Sequence, residues 1–165
     1  MSNGNVQYAC HDDVHVLRFV GEIRCPMAPA VGQFFESLME QKSPRRLAID
    51  LTETTLIDST NLGQLARFAN AMRVSGGERI SILSNREDIN IVLQSMGFDG
   101  VFKLIDDAAS CRDGASVAVD IPESSRDELA EVVLAAHRAL MAISADNHDK
   151  FKDMIDLLEL DKPLR

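Results

Sequence analysis

Within a dozen residues this chain passes from a strand to a helix, and that junction limits the folds open to it. Leu47-Ala48-Ile49-Asp50-Leu51 is a short apolar run with a charge near its end. Leu62, Leu65, Ala66, Ala69 and Met72 recur at the spacing of one helix face. Between them lies Leu56 to Gly63, LIDSTNLG, which places Ser59 at or next to a helix N-cap, flanked by Asp58 and Thr60. Helix N-termini carry unpaired backbone N–H groups and the positive end of the dipole. A hydroxyl there caps the helix, and the helix would tolerate a phosphate there.

The same reading extends along the chain. Strands are predicted over 6–9 and 14–20, joined by a His-Asp-Asp turn, with Gly21 closing the second. A helix over 28–41 presents Val31, Phe34, Phe35, Leu38 and Met39, and Ser43-Pro44 stops it. A strand over 46–51 leads into a 52–60 loop and a helix over about 60–74, closed by Gly76-Gly77. A strand over 79–83, a helix over 86–96 and a strand over 101–105 follow. The order β-β-α-β-α-β-α-β implies an α/β fold, with a mixed, mostly parallel sheet covered by helices and right-handed crossovers. Loops after the strand C-termini are the usual functional edge of such sheets, and 52–60 lies on that edge.

Past Asp107 the character changes. Residues 108–122 are small and polar, and Ser124-Ser125-Arg126-Asp127-Glu128 has the form of a helix start. Leu129, Val132, Val133, Ala136, Leu140 and Ile143 make one apolar stripe; Phe151, Met154, Ile155 and Leu158 make a second, in a helix opened by Asn147 and ended by Asp161-Lys162-Pro163. From Asp120 onward there are 11 acidic and 6 basic residues. The chain is thus expected to divide into a domain over 1–107 and, over 108–165, a linker with an acidic C-terminal helical extension.

The formal charge of −9 opposes binding to nucleic acid or to an anionic membrane. No run approaches the roughly 18 apolar residues of a spanning helix, and the N-terminus lacks the form of a signal peptide. Cys10, Cys25 and Cys111 are scattered, odd in number and without a CxxC pair, as expected of incidental thiols in a reducing, cytoplasmic setting. His11, His15, His137 and His148 show no metal-ligand spacing. No cofactor is expected. Asp50 and Asp58 could act as paired carboxylates, and Asp50-Leu51-Thr52 faintly suggests an aspartyl nucleophile after a strand. No phosphate-cradling glycine loop or nucleophile–base pair accompanies them. The residues therefore point to a binding switch rather than an enzyme.

Taken together, Asp50-Leu51-Thr52, Ile57-Asp58-Ser59, Leu62-Gly63, Gly76-Gly77, and Leu93 before Met96-Gly97-Phe98 with Phe102 beyond resemble the STAS domain of the anti-sigma factor antagonist type, over about residues 5–107. The resemblance implies that Ser59 is the phosphoacceptor. It implies an anti-sigma factor with serine kinase activity as partner, a PP2C-type phosphatase as its opponent, and a role in sigma-dependent transcription in a bacterium. Partner contact is expected at Asp50, Leu56, Asp58, Ser59, Thr60, Asn61, Leu62 and Gln64. Asn61 stands where the family often has glycine. The C-terminal helices are expected to pack on the domain, to meet a second protein partner, or to do both. Two other readings stay open: a non-phosphorylated STAS adaptor of a transporter assembly, and a small metal-dependent phosphohydrolase using Asp50.

Overall fold

The computed structural model describes residues 4–106 and 116–161. An antiparallel hairpin opens it: β1 (Asn5–His11) pairs with β2 (Val14–Ile23). Its two-residue turn places Asp12 and Asp13 at φ 50° and 63°. Such a doubly left-handed turn matches the twist of a hairpin, and aspartate enters that region more readily than most residues. Then α1 (Ala28–Lys42), β3 (Arg46–Ile57), α2 (Ser59–Val74), β4 (Ser81–Leu83), α3 (Glu87–Ser95) and β5 (Lys103–Ile105) alternate, and β2 to β5 run parallel. A short β6 (Val117–Ala118) joins the far side of β1, giving the sheet order β5-β4-β3-β2-β1-β6. β5 and β6 are therefore the two edge strands of the sheet. Two helices, α4 (Arg126–Met141) and α5 (Ala145–Leu160), complete the fold.

Alternation within the strands sorts the two faces. Leu17, Phe19, Ile23, Leu47, Ile49, Leu51 and Ile82 join the main core with Val31, Phe35, Leu38, Leu65, Phe68 and Met72 from the helices. Val16, Ala48 and Leu83 form a smaller cluster on the opposite face. The fold is the expected mixed, mostly parallel α/β layer with C-terminal helices.

Two expectations about the strands need correction. β3 does not end at Leu51 but continues to Ile57, because β2 is long enough to pair with it as far as Ile23. Thr54 Oγ1 stitches this extension by donating to the Phe19 carbonyl at 2.8 Å. Gly21 lies inside β2 rather than closing it, with φ 82° at an irregularity in the β2–β3 register. A glycine is favoured there because that backbone conformation is strained for residues with a Cβ. β6 and the 3-10 turns at Cys25–Met27 and Phe98–Gly100 are further elements, too short to leave a periodic signal.

The C-terminal helices pack on the domain: Leu140 and Phe151 belong to the main core cluster. Ser125 caps α4 by accepting from the Glu128 N–H, and Ser144 caps α5 by accepting from that of Asn147. Asn147 is thus an inward side chain of the first turn rather than the opening residue, and its Nδ2 donates to the carbonyls of Leu140 and Met96. Arg138 pairs with Glu159 across the two helices. On α5, Phe151 and Ile155 are buried, whereas Met154, Leu157 and Leu160 are exposed. The expected boundary between 107 and 108, Cys111 and Lys162-Pro163 lie outside the described residues.

Candidate functional site

The switch region is built where β3 ends and α2 begins. Asp58 is the N-cap of α2: its Oδ1 accepts from the Asn61 backbone N–H at 3.0 Å and from Asn61 Nδ2 at 2.9 Å. Its own N–H donates to the Ile23 carbonyl, fixing the helix end to the tip of β2. Ser59 is the first helical residue, and its hydroxyl is not used for capping. The Asn61 side chain explains how the loop accommodates the absence of glycine: its amide doubles the cap contact.

The Ser59 hydroxyl goes instead to the C-terminal extension. Ser59 Oγ lies 2.8 Å from His137 Nε2, across 78 positions of sequence. The other ring nitrogen, Nδ1, lies 2.7 Å from the Val133 carbonyl. A carbonyl can only accept, so in the neutral ring Nδ1 carries the proton and Nε2 accepts from the serine O–H. His137 is 2% exposed and packs edge-on against Phe151. A nucleophile–base pair that the sequence did not show is therefore present in space. Only one signal could have found it. His137 sits four residues after Val133 and three before Leu140, on the apolar stripe of α4. The deepest residues of α4 are Leu134, Ala136, His137 and Leu140, with Leu129, Val132 and Val133 only partly buried.

The crossing of α4 over α2 is close. A Cβ on Gly63 would meet the Ala136 carbonyl oxygen at 2.3 Å and its carbon at 2.5 Å. Those are backbone atoms, so any side chain at 63 displaces the helix itself.

Placement of the other expected contact residues is uneven. Leu56 is exposed, and Asp58 and Ser59 are partly buried. Thr60, Asn61, Leu62 and Gln64 are buried and present no surface to a partner in this conformation. Leu62 is core, and Gln64 bridges the helices, with Nε2 donating to the Ala28 carbonyl and Oε1 accepting from Arg67. Cys25 lies close to this end of α2. Burial pushes its thiol above the ordinary value; a hydrogen bond with Thr60 opposes this and the Asp58 charge adds to it.

Asp50 is not a strand-end residue but lies within β3, 1% exposed. Arg18 Nε donates to its Oδ2 at 3.2 Å, and the Thr52 N–H and hydroxyl both donate to Oδ1, at 2.9 and 2.7 Å. Its carboxylate is thus engaged by three donors. Among the described residues no helix is long and apolar enough to cross a membrane.

A profile of the STAS domain matches residues 5–111. The chain belongs to the STAS domain family. Solved structures agree on the fold. An anti-sigma factor antagonist from Mycobacterium paratuberculosis is 24% identical, with a TM-score of 0.58 over 64% of this chain and 88% of that one. A candidate anti-sigma factor antagonist from Thermotoga maritima is also 24% identical, with a TM-score of 0.53 over 62% and 86%. The STAS match ends before α4 begins, so His137 lies outside it while Ser59 lies within.

Proposed function

We propose that this STAS protein is an anti-sigma factor antagonist switched by phosphorylation of Ser59. The observation that carries the reading is the division of labour at the start of α2. Asp58 caps the helix, so the neighbouring hydroxyl is free of that duty and can be modified without uncapping α2. A phosphate adds about −1.5 to −2 charges and three acceptor oxygens. At the helix N-terminus the dipole accommodates it. Beside Asp58 in a protein interface, the same charge must be desolvated or repelled, and binding weakens.

In this reading the chain binds and does not turn over substrate. Its partner is an anti-sigma factor with serine kinase activity, and a PP2C-type phosphatase restores the unmodified form. Leu56 provides the exposed part of the edge, and Asp58 and Ser59 its partly buried part. Asp50, Thr60, Asn61, Leu62 and Gln64 act from beneath, by holding the strand and helix ends in place. The test is calorimetry of partner binding, with an interface of standard size, ~1,200–2,000 Å² in all. Ser59→Ala should bind constitutively, Ser59→Asp more weakly, and the phosphorylated chain least. Equal affinity for all forms would end this reading. One observation favours a second reading, a STAS adaptor of a transporter assembly that is never phosphorylated: the Ser59 hydroxyl is already engaged by His137. Mass spectrometry of the protein from its own cells, with phosphate on Ser59 or none, separates the two.

A further inference from the structure

The contact between Ser59 and His137 joins the proposed phosphoacceptor to a helix that lies beyond the STAS match. We infer that α4 is a built-in cover for the switch: it occupies the Ser59 face of α2, with His137 as its latch, and a kinase or partner engages Ser59 fully only after α4 and α5 lift away. The inference rests on the reading of Ser59 as phosphoacceptor.

Three independent features support it. The first is how closely α4 is seated. It crosses α2 at Gly63, where backbone meets helix without an intervening side chain, directly one turn beyond Ser59. No second helix from another protein could lie on that line while α4 is there. The second is the hydrogen-bond geometry. The serine proton points at His137 Nε2, and the ring is held in place by the Val133 carbonyl and the edge contact with Phe151. The bond ties the hydroxyl to a helix that also flanks it, so an incoming group must approach past α4. The third is that the closed arrangement is imperfect. Asn61 Oδ1, at the start of α2, and Asn147 Oδ1, at the base of α5, are buried without a hydrogen-bond partner. Unpaired buried acceptors lower the stability of the state that buries them. Lifting α4 and α5 would give Asn147 Oδ1 access to water; Ser84 Oγ, just after β4, is a third buried group of this kind. On the outer side, Glu128 and Glu131 of α4 line a groove with Arg67 and Gln64 of α2, so the cover presents acidic residues beside a basic one.

Covering can be tested without a kinase. In the full chain with its three native cysteines replaced by alanine, Ser59→Cys makes the site a thiol whose rate of alkylation by iodoacetamide reports access. Two loosening variants are compared in that background. Ala136→Arg places a long side chain at the Gly63 crossing; His137→Ala removes only the latch and keeps the helix. Circular dichroism checks that each stays folded. Because His137 would itself activate a thiol at position 59, rates are followed over a pH series and compared per thiolate; on that basis alkylation should quicken at least about tenfold in both, equivalent to ~1.4 kcal/mol of opening free energy. Equal rates in the parent and in a folded loosened variant would overturn the inference. If Ala136→Arg fails to fold, His137→Ala decides alone. Because no phosphate enters this assay, its outcome is separate from that of the phosphoacceptor reading, which stands or falls on phosphate found at Ser59.

Discussion

Two seams hold this molecule together, and they are made differently. Between β2 and β3, apolar residues alternate onto the main core, and the polar groups among them find partners: Thr54 with the Phe19 carbonyl, Asp50 with Arg18 and Thr52. Between α2 and α4 the contacts that fix the alignment are of another kind. A glycine lets two backbones touch, and a serine meets a histidine. The first seam is what the alternation of strands and helices demands. The second joins the STAS portion to helices outside the family match, and its polar contacts fall on the proposed switch. Specific close approach and specific polar pairing, rather than buried area alone, define where α4 sits.

The largest test of this contrast removes the second seam. A chain ending at Asp106 loses the burial of Leu134, Leu140, Phe151 and Ile155, each worth ~1.5–3 kcal/mol before ordering entropy is subtracted. Urea unfolding should show a net loss of at least ~3 kcal/mol, which includes the small pairing of β6 with β1. An unchanged midpoint would make the helices a separate unit, as the sequence suggested they might be divided.

Gly63→Ala sharpens the contrast through its sign. In an isolated helix this change stabilises by about 1 kcal/mol. In the full chain the new Cβ would meet the Ala136 backbone, and overpacking of this kind costs ~1–3 kcal/mol. Denaturation of the full and shortened chains should therefore give opposite signs. The same sign in both would mean that α4 does not press on α2.

Smaller effects separate the two residues at the start of α2. Asp58→Ala removes the cap and should cost ~1 kcal/mol whether or not α4 is present. Ser59→Ala leaves His137 Nε2 without a donor and should cost ~1 kcal/mol in the full chain only. A double-mutant cycle between positions 59 and 137 measures their coupling, and a value of zero would dissolve the latch.

The smallest effect concerns the hairpin. Burial lowers the pKa of His15 below its ordinary value, with the Lys42 charge acting in the same direction and Asp13 against it. The folded state then binds this proton less readily than the unfolded one. Its contribution is present above the unfolded value near ~6.5 and declines as pH falls through that value toward the lower folded one. Tyr8, whose hydroxyl lies 2.6 Å from His15 Nδ1, suits the neutral ring as donor. His15→Asn should flatten this part of the stability–pH curve, and an unchanged curve would assign the pH dependence elsewhere.

Much of the sheet was legible because alternation and helical period are local. The strand–helix junction at 47–72 gave the element order, and Ser43-Pro44 marked the end of α1. The full length of β3 was not legible, since residues 52–57 carry threonines and glutamate and owe their extended form to pairing with β2. The serine at the helix start was legible, but its role in the packing was not. Both Asp58 and Ser59 are good capping types, and only the structure shows that the aspartate does it. His137 resembles any histidine on an apolar stripe until a residue 78 positions away is brought against it. Met154 was read as inward because α5 has apolar residues around more of its circumference than the fold covers; Phe151 and Ile155 take the covered side.

The Arg18–Asp50 pair has a further consequence, for alignment. The two residues stand opposite each other on parallel strands, immediately before the register between β2 and β3 shifts. Sliding β2 by one residue would bring the guanidinium to the face where Leu17 and Phe19 now meet the helices, and would leave the carboxylate among aliphatic neighbours. The ion pair need not add much to stability to matter. It marks the one alignment in which both charges are satisfied, and so sets where β3 ends and where Ser59 emerges.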